Sequence, residues 1–317
     1  MTILILPALM FLAGLVILMK AGDYLVDGAV SVAHKFKLSD IFIGVAIIGF
    51  GTSLPELLSS LSAMRLGSPA IAVGNAMGSN IANVGLILGL TLLVAGSFHR
   101  AAGQGREYIS MMIVTLLFLG ALFTFNAISL TLAILMVAVL FAYLGSALLA
   151  GKKNFDAALE ESAQSHEDTD MKRASLMVVL GLVGLFIGAE LLVRGAVDIA
   201  HFFEVPERII GLTLMAIGTS LPELAAAISA AKRGRSALTF GNIMGSNVFN
   251  LLGVLGVAGL FGRIPLVEGT ITDGFIMTGF ALVLLPLFWT KFAGKAARLW
   301  GFGLVAAYIA YIASLTL

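Results

Sequence analysis

The chain has 317 residues, of which 59% are hydrophobic and 12% charged, with a formal net charge of +1. Ordinary soluble domains are about 45–50% apolar and about 25% charged, so a soluble globular protein is excluded. The charge balance gives no bulk attraction for nucleic acid, and the lack of cysteine rules out disulfides, thiolate metal sites and cysteine nucleophiles.

In chain order, apolar runs between polar breaks predict ten membrane-crossing helices, over residues 3–32, 40–64, 69–97, 107–125, 128–150, 174–202, 207–231, 236–261, 270–290 and 296–315. About 20 apolar residues are enough for a helix to cross the roughly 30 Å hydrocarbon layer. The first run has no Lys or Arg before Lys20 and continues past Tyr24, so it reads as a retained helix and not a cleaved signal. Residues 151–173 contain Asp156, Glu160, Glu161, Glu167, Asp168 and Asp170 and read as a solvated acidic linker. The linker is too short for a folded regulatory domain. It separates a first five-helix unit, 1–150, from a second, 174–317. The expected fold class is an all-α membrane protein of ten transmembrane helices.

Basic residues orient the chain, because short cytoplasmic loops are enriched in Lys and Arg. The loops after helices 1, 3, 5, 7 and 9 hold Lys35, Lys37, Arg100, Arg106, Lys152, Lys153, Lys172, Arg173, Lys232, Arg233, Arg235, Lys291, Lys295 and Arg298. The loops on the other side hold only Arg65, Arg208 and Arg263. Both termini are therefore expected outside the cytoplasm.

Sliding the chain against itself by 167 residues aligns Gly51 to Leu90 with Gly218 to Val257 without a gap, and 20 of the 40 positions are identical. The same offset extends upstream, matching Leu25, Val26 and Gly28 to Leu192, Val193 and Gly195. Five helices is an odd number, so the second copy enters the membrane from the opposite side. Loop charges agree: Lys35 and Lys37 become Phe202 and Glu204, while Leu66 and Ser68 become Arg233 and Arg235. Two inverted five-helix repeats are characteristic of secondary transporters, whose substrate site lies near the bilayer midplane between the halves.

Identity within the repeat concentrates in two polar sequences: Gly51-Thr52-Ser53-Leu54-Pro55-Glu56 with its copy Gly218 to Glu223, and Gly78-Ser79-Asn80 with Gly245-Ser246-Asn247. Proline lacks an N–H and crowds the preceding turn, so each helix is expected to break and free carbonyls ahead of Pro55 and Pro222. A carboxylate at mid-membrane costs at least about 2.5 to 3.5 kcal/mol on insertion scales, and two at equivalent positions imply a cationic ligand. Ser79 and Asn83 share a helix face, as do Ser246 and Asn250. Hard oxygen donors without imidazole or sulfur suit Ca2+, Na+ or Mg2+. Two carboxylates are neutralised by one Ca2+, two Na+ or two protons, and such mutually exclusive occupancy is the physical basis of exchange.

The doubled GTSLPE, each copy followed by GN-x-x-GSN-x-x-N, resembles the two alpha-repeats of the sodium/calcium exchanger branch of the cation/calcium antiporter superfamily. The resemblance implies the exchanger fold and four clustered cation sites. Glu56 and Glu223 would be central, with Thr52 and Thr219 beside them, Ser53, Ser220, Ser79 and Ser246 lining sodium sites, Asn83 and Asn250 at the middle position, and backbone carbonyls from Gly49 and Ala216. It also implies Ca2+ and Na+ as transported ions, H+ as the alternative counter-ion, no cofactor, no nucleotide, and a monomer in the cell membrane as the functional unit. In the implied mechanism helices 1 and 6 slide across the other eight. Members of this branch often carry Asp at one middle position, whereas here both are amides, leaving two carboxylates.

Other polar residues receive structural roles. Asn75, Asn80, Asn242 and Asn247 are expected in helix–helix hydrogen bonds, and Asp23, Asp27, Glu190 and Arg194 in interfacial pairing or solvation, as are His34 and His201. No GxxxxGK[ST] loop supports ATP hydrolysis. No membrane-embedded His or Lys stands near Ser53 or Ser220 to make a protease, so an enzyme is not expected. A cation channel remains a lesser alternative, and nothing in the sequence suggests a pore loop.

Overall fold

Ten helices carry the chain back and forth in a computed structural model that describes residues 2–98, 103–153, 170–204, 216–266, 269–288 and 292–315. In the first half α1 is Thr2–Phe36, α2 Asp40–Arg65, α3 Ala70–Ala95, α4 Gln104–Thr124 and α5 Leu130–Lys153. In the second, α6 is Met171–Phe202, α7 spans 216–232 as described, α8 is Ser236–Phe261, α9 Thr270–Leu282 and α10 Lys295–Ser314. Among the described residues, eight of these are long and apolar enough to cross a membrane by themselves. Large apolar side chains such as Leu6, Leu117, Phe141 and Phe302 lie exposed on the outside of the bundle. In a bilayer that surface faces acyl chains, so its exposure carries no hydrophobic penalty.

The packing of α1 on α6 gives the relative direction of the halves. A side chain at Gly14 would meet the backbone of Gly188 and Leu192, whereas Gly28 lies against Ala174 and Val178. Contacts thus descend α6 as they ascend α1, and the helices run antiparallel over most of their length. Without a hydrophobic force between helices in lipid, close backbone approach through small residues is what holds such a pair. A second seam joins α2 to α8, where Gly44 sits on the Leu238 carbonyl and Gly241 on that of Ile41.

Two short strand pairs also cross between the halves. Strand β1 (Ser97–Phe98) pairs antiparallel with β4 (Phe292–Ala293), and β2 (Ala127–Ile128) with β3 (Ile264–Pro265).

Several boundaries differ from those expected. The acidic linker is narrower than 151–173: α5 runs to Lys153, and α6 begins at Met171 with the Asp170 carboxylate accepting the Lys172 N–H at 3.3 Å. Lys152 and Lys153 thereby end α5, where cations suit the negative end of the helix dipole. The expected ninth segment, 270–290, is not one helix. Its α-helix stops at Leu282 and a 3-10 turn follows over Leu285–Phe288, because Pro286 has no N–H to offer the Leu282 carbonyl. Most of the linker, with Asp156, Glu160, Glu161, Glu167 and Asp168, lies outside the described residues, as do Arg100, Arg208, Lys291 and the start of the seventh segment.

Candidate cation-binding site

The site is built where α2 and α7 break. Helix α2 starts regularly at Asp40–Ile43, widens into a π-helical stretch over Gly44–Gly49, returns to α geometry for Phe50–Thr52, and breaks at Ser53. Ser53 has φ −84° and ψ 7°, in the sparsely allowed bridge region where active-site residues are often found. A new helical segment, Leu54–Arg65, follows with Pro55 in its first turn, where the missing N–H costs nothing. In α7, Ser220 at φ −89° and ψ 2° separates Ala216–Thr219 from Leu221–Lys232 in the same manner. Both glutamates consequently lie in the first turn of a new helical segment.

Two more π-helical stretches begin at the paired asparagines, Asn83–Leu88 in α3 and Asn250–Val254 in α8. Such bulges are rare and concentrate at functional sites. The stretch beginning at Asn83 packs against the α7 segment that carries Glu223, and the one beginning at Asn250 against the α2 segment that carries Glu56.

Glu56 and Glu223 are 1% and 2% exposed. Each is served by the other repeat's break: the Ser53 hydroxyl donates to Glu223 Oε1 at 2.9 Å, with Thr52 beside the same carboxylate, and Thr219 stands beside Glu56. The Ser79 hydroxyl reaches Glu56 Oε1 at 3.5 Å. Ser246 donates to the Gly49 carbonyl at 3.2 Å, and Thr52 to that of Ile48 at 2.9 Å. The Gly49 carbonyl also accepts the Ser53 N–H at 3.3 Å. Ala216 opens the described part of α7 in register with Gly49.

The second carboxylate oxygens tell more. Glu56 Oε2, Glu223 Oε2, Asn83 Oδ1, Asn250 Oδ1 and Ser220 Oγ are buried without a hydrogen-bond partner. Buried polar atoms are almost always satisfied, and an orphan marks a functional role or a bound species. All five are oxygens, two from carboxylates, two from amide carbonyls and one from a hydroxyl, which is the donor set of a hard cation. Among the described residues no group of three or more His, Cys, Asp or Glu forms.

A cavity of about 700 Å3 lies between α6 and the two breaks, lined by Glu190 and Arg194 on one wall and by Pro55, Thr219 and Pro222 on the other. Across the repeat symmetry, where α1 meets α7, the cavity is smaller, about 170 Å3, and is lined by Leu18, Asp23, Leu221 and Ser229. A side chain at Gly22 would strike the Ala225 carbonyl, and Arg233 binds Asp23 at 2.6 Å and Asp27 at 2.9 Å. The residue equivalent to Arg233 is Leu66, and Glu190 and Arg194 pair with each other instead. The larger cavity thus lies on the α6 side of the breaks and the smaller one on the α1 side.

The structure places the predicted carboxylates, hydroxyls and amides around the two breaks. Sequence reasoning missed the π-helical stretches and the exchange of serine partners between repeats. It assigned Asn75 and Asn242 to helix–helix bonds, and they donate to the carbonyls of Glu56 and Glu223 at 2.9 and 3.4 Å. Asn80 and Asn247 also bond between helices, with partners described below. The identity of all four across the repeat was the available signal.

Antiparallel long helices, paired helix breaks and buried acids with unpartnered oxygens define a membrane transporter of the inverted-repeat class. The sequence model of the sodium/calcium exchanger protein family matches residues 6–149 and 173–317. The chain belongs to that family. It is 31% identical to the sodium/calcium exchanger MaX1 of Methanosarcina acetivorans, over 96% of this chain and 97% of the relative. An uncharacterized membrane protein of Methanocaldococcus jannaschii is 34% identical over 96% of both chains. The solved structure of the sodium-calcium exchanger NCX_Mj soaked without Na+ and Ca2+ superposes with a TM-score of 0.84 at 31% identity, covering 98% of this chain and 99% of that one.

Proposed function

We propose that this protein is a secondary antiporter that moves Ca2+ against Na+, with Glu56 and Glu223 binding the two ions in alternation. The observation that carries the reading is the pair of buried carboxylates, each with an oxygen free for a ligand. One Ca2+ or two Na+ neutralise them, and an uncompensated pair at that depth would be strongly unfavourable. Asn83, Asn250 and Ser220 supply neutral oxygens beside the carboxylates, and Thr52, Thr219, Ser53, Ser79 and Ser246 complete the surroundings. Gly49 and Ala216 contribute backbone. The protein works as a monomer in the cell membrane with both termini outside the cytoplasm, so the cavity beside Glu190 faces outward. The two units, 1–150 and 174–317, then exchange access as α1 and α6 move together over the other helices.

The test is reconstitution in liposomes with radioactive calcium. Uptake is expected under an outward Na+ gradient and not under a matched outward H+ gradient without Na+. Uptake driven only by H+ would keep the site and transfer the protein to proton coupling. Flux that needs no counter-ion gradient and does not saturate would instead indicate a channel.

Acid should inhibit. Protons and Ca2+ compete for the same two carboxylates, so the half-saturating calcium concentration rises as pH falls. Each tenfold increase in proton activity raises it by up to about tenfold per competing proton once the free site is protonated. Calcium uptake measured at fixed Na+ gradient from neutral to acid pH checks this, and a flat profile would remove the carboxylates as ligands.

A further inference from the structure

An asparagine is a good cation ligand only when its oxygen, and not its NH2, faces the ion. Asn83 and Asn250 are 1% and 0% exposed, and the Oδ1 of each is buried without a hydrogen-bond partner. Nothing in an isolated amide prefers that orientation, since the two ends are nearly the same size. Some neighbour must choose it.

We propose that Asn80 and Asn247 are positioning residues that fix the amides of Asn250 and Asn83 across the repeat interface. The proposal rests on the cation-site reading above and deepens it. The Asn80 amide nitrogen donates to the Asn247 main-chain carbonyl at 3.1 Å and to Met277 Sδ at 3.7 Å. A carbonyl can only accept, so the orientation of Asn80 is forced and its own oxygen points the other way. That oxygen accepts Asn250 Nδ2 at 3.1 Å. Asn250 is therefore forced in turn, with its NH2 held by Asn80 and its Oδ1 left unpartnered for a cation. In the symmetric arrangement Asn83 Nδ2 donates to Asn247 Oδ1 at 2.9 Å, and Asn247 Nδ2 reaches Met111 Sδ at 3.4 Å. A thioether is a weak acceptor, so Asn247 is the less firmly held of the two.

The consequence is a dependence that a plain helix tie lacks. With Asn80→Ala, Asn250 is free to turn its NH2 to the cation, and the half-saturating Ca2+ concentration is expected to rise about tenfold, the size of one lost hydrogen bond in a buried site. The maximal rate stays within about twofold, because the carboxylates are untouched. Asn247→Ala should act in the same direction through Asn83 and more weakly.

A double-mutant cycle separates orientation from packing. A carboxylate has no NH2 to turn toward the ion and can only meet the Asn80 Oδ1 as a second acceptor, so in the Asn250→Asp background Asn80→Ala should leave half-saturation unchanged or lower it. The measurement is radioactive calcium binding at equilibrium together with exchange in liposomes. An equal loss from Asn80→Ala in both backgrounds, or none in the wild-type background, overturns the proposal. If Asn80→Ala does not fold, the cycle of Asn247→Ala with Asn83→Asp decides, since it leaves the bond from Asn80 to the Asn247 main chain in place. Should Glu56→Gln and Glu223→Gln both bind calcium normally, the site itself is wrong. If they lose calcium while the cycles are additive, only the positioning role falls.

Discussion

Glu56→Gln is expected to abolish calcium exchange, and Glu223→Gln to do the same, while both proteins still fold. The substitution keeps size and shape but replaces half of the site's charge with an amide. A Ca2+ ion would then carry an uncompensated positive charge into a buried site. Removing one partner from a buried charge pair costs about 3–5 kcal/mol, or roughly two to four powers of ten in affinity. Glu223 has a further reason to be sensitive: its Oε1 accepts the Ser53 hydroxyl from the opposite repeat at 2.9 Å, and an introduced amide that keeps this bond with its oxygen must put its NH2 where the unpartnered Oε2 stood. Folding should survive because a neutral amide is easier to bury than a carboxylate. Calcium uptake into liposomes, with thermal unfolding in detergent as the control for folding, checks both points. Normal exchange by either variant would remove it from the central position.

Gly241→Leu is expected to prevent the protein from accumulating, and Gly241→Ala to destabilise it by about 1–3 kcal/mol. Its Cβ would point straight into the Ile41 carbonyl, with the Gly44 Cα 3.1 Å away. The obstruction is backbone on a facing helix, which cannot rotate aside as a side chain would. Forcing α8 away from α2 would also strain the Ser246 to Gly49 hydrogen bond at the site, so surviving protein should exchange calcium poorly. Gly145→Ala is the contrasting control. Among the described residues nothing stands within 4 Å of an added Cβ at Gly145, and alanine is the better helix former. Thermal unfolding of the purified variants measures the difference, and equal stability of Gly241→Ala and Gly145→Ala would deny the seam its role.

Helix count, inverted duplication and the candidacy of Glu56 and Glu223 as ligands were all readable from the amino-acid sequence. Each is a local or self-referential property. A helix that crosses lipid must satisfy its own backbone and be apolar over a fixed length, and a duplication shows itself by identity at a constant offset. A carboxylate inside an apolar run needs no structure to look functional. The breaks were also legible, since Pro55 and Pro222 announce them, although the chain turns at Ser53 and Ser220, two residues earlier. The end of α9 was misplaced because hydrophobicity continues through Pro286 while helical hydrogen bonding does not.

The pairings between repeats were not readable. Ser53 was expected to line a sodium site, and nothing near it in sequence indicates that its hydroxyl belongs to Glu223, 170 residues away. The same holds for Asn80 with Asn250 and for Asn83 with Asn247. Such contacts depend on how two inverted units dock, and docking is set by where glycines allow backbones to meet, as along α1 with α6 and α2 with α8. The π-helical stretches belong here too, because an extra residue in a turn leaves no mark on composition or periodicity. Local chemistry thus named the candidate ligand atoms, but their orientation arises from contacts between the two halves, where a buried donor must find an acceptor wherever the packed fold supplies one.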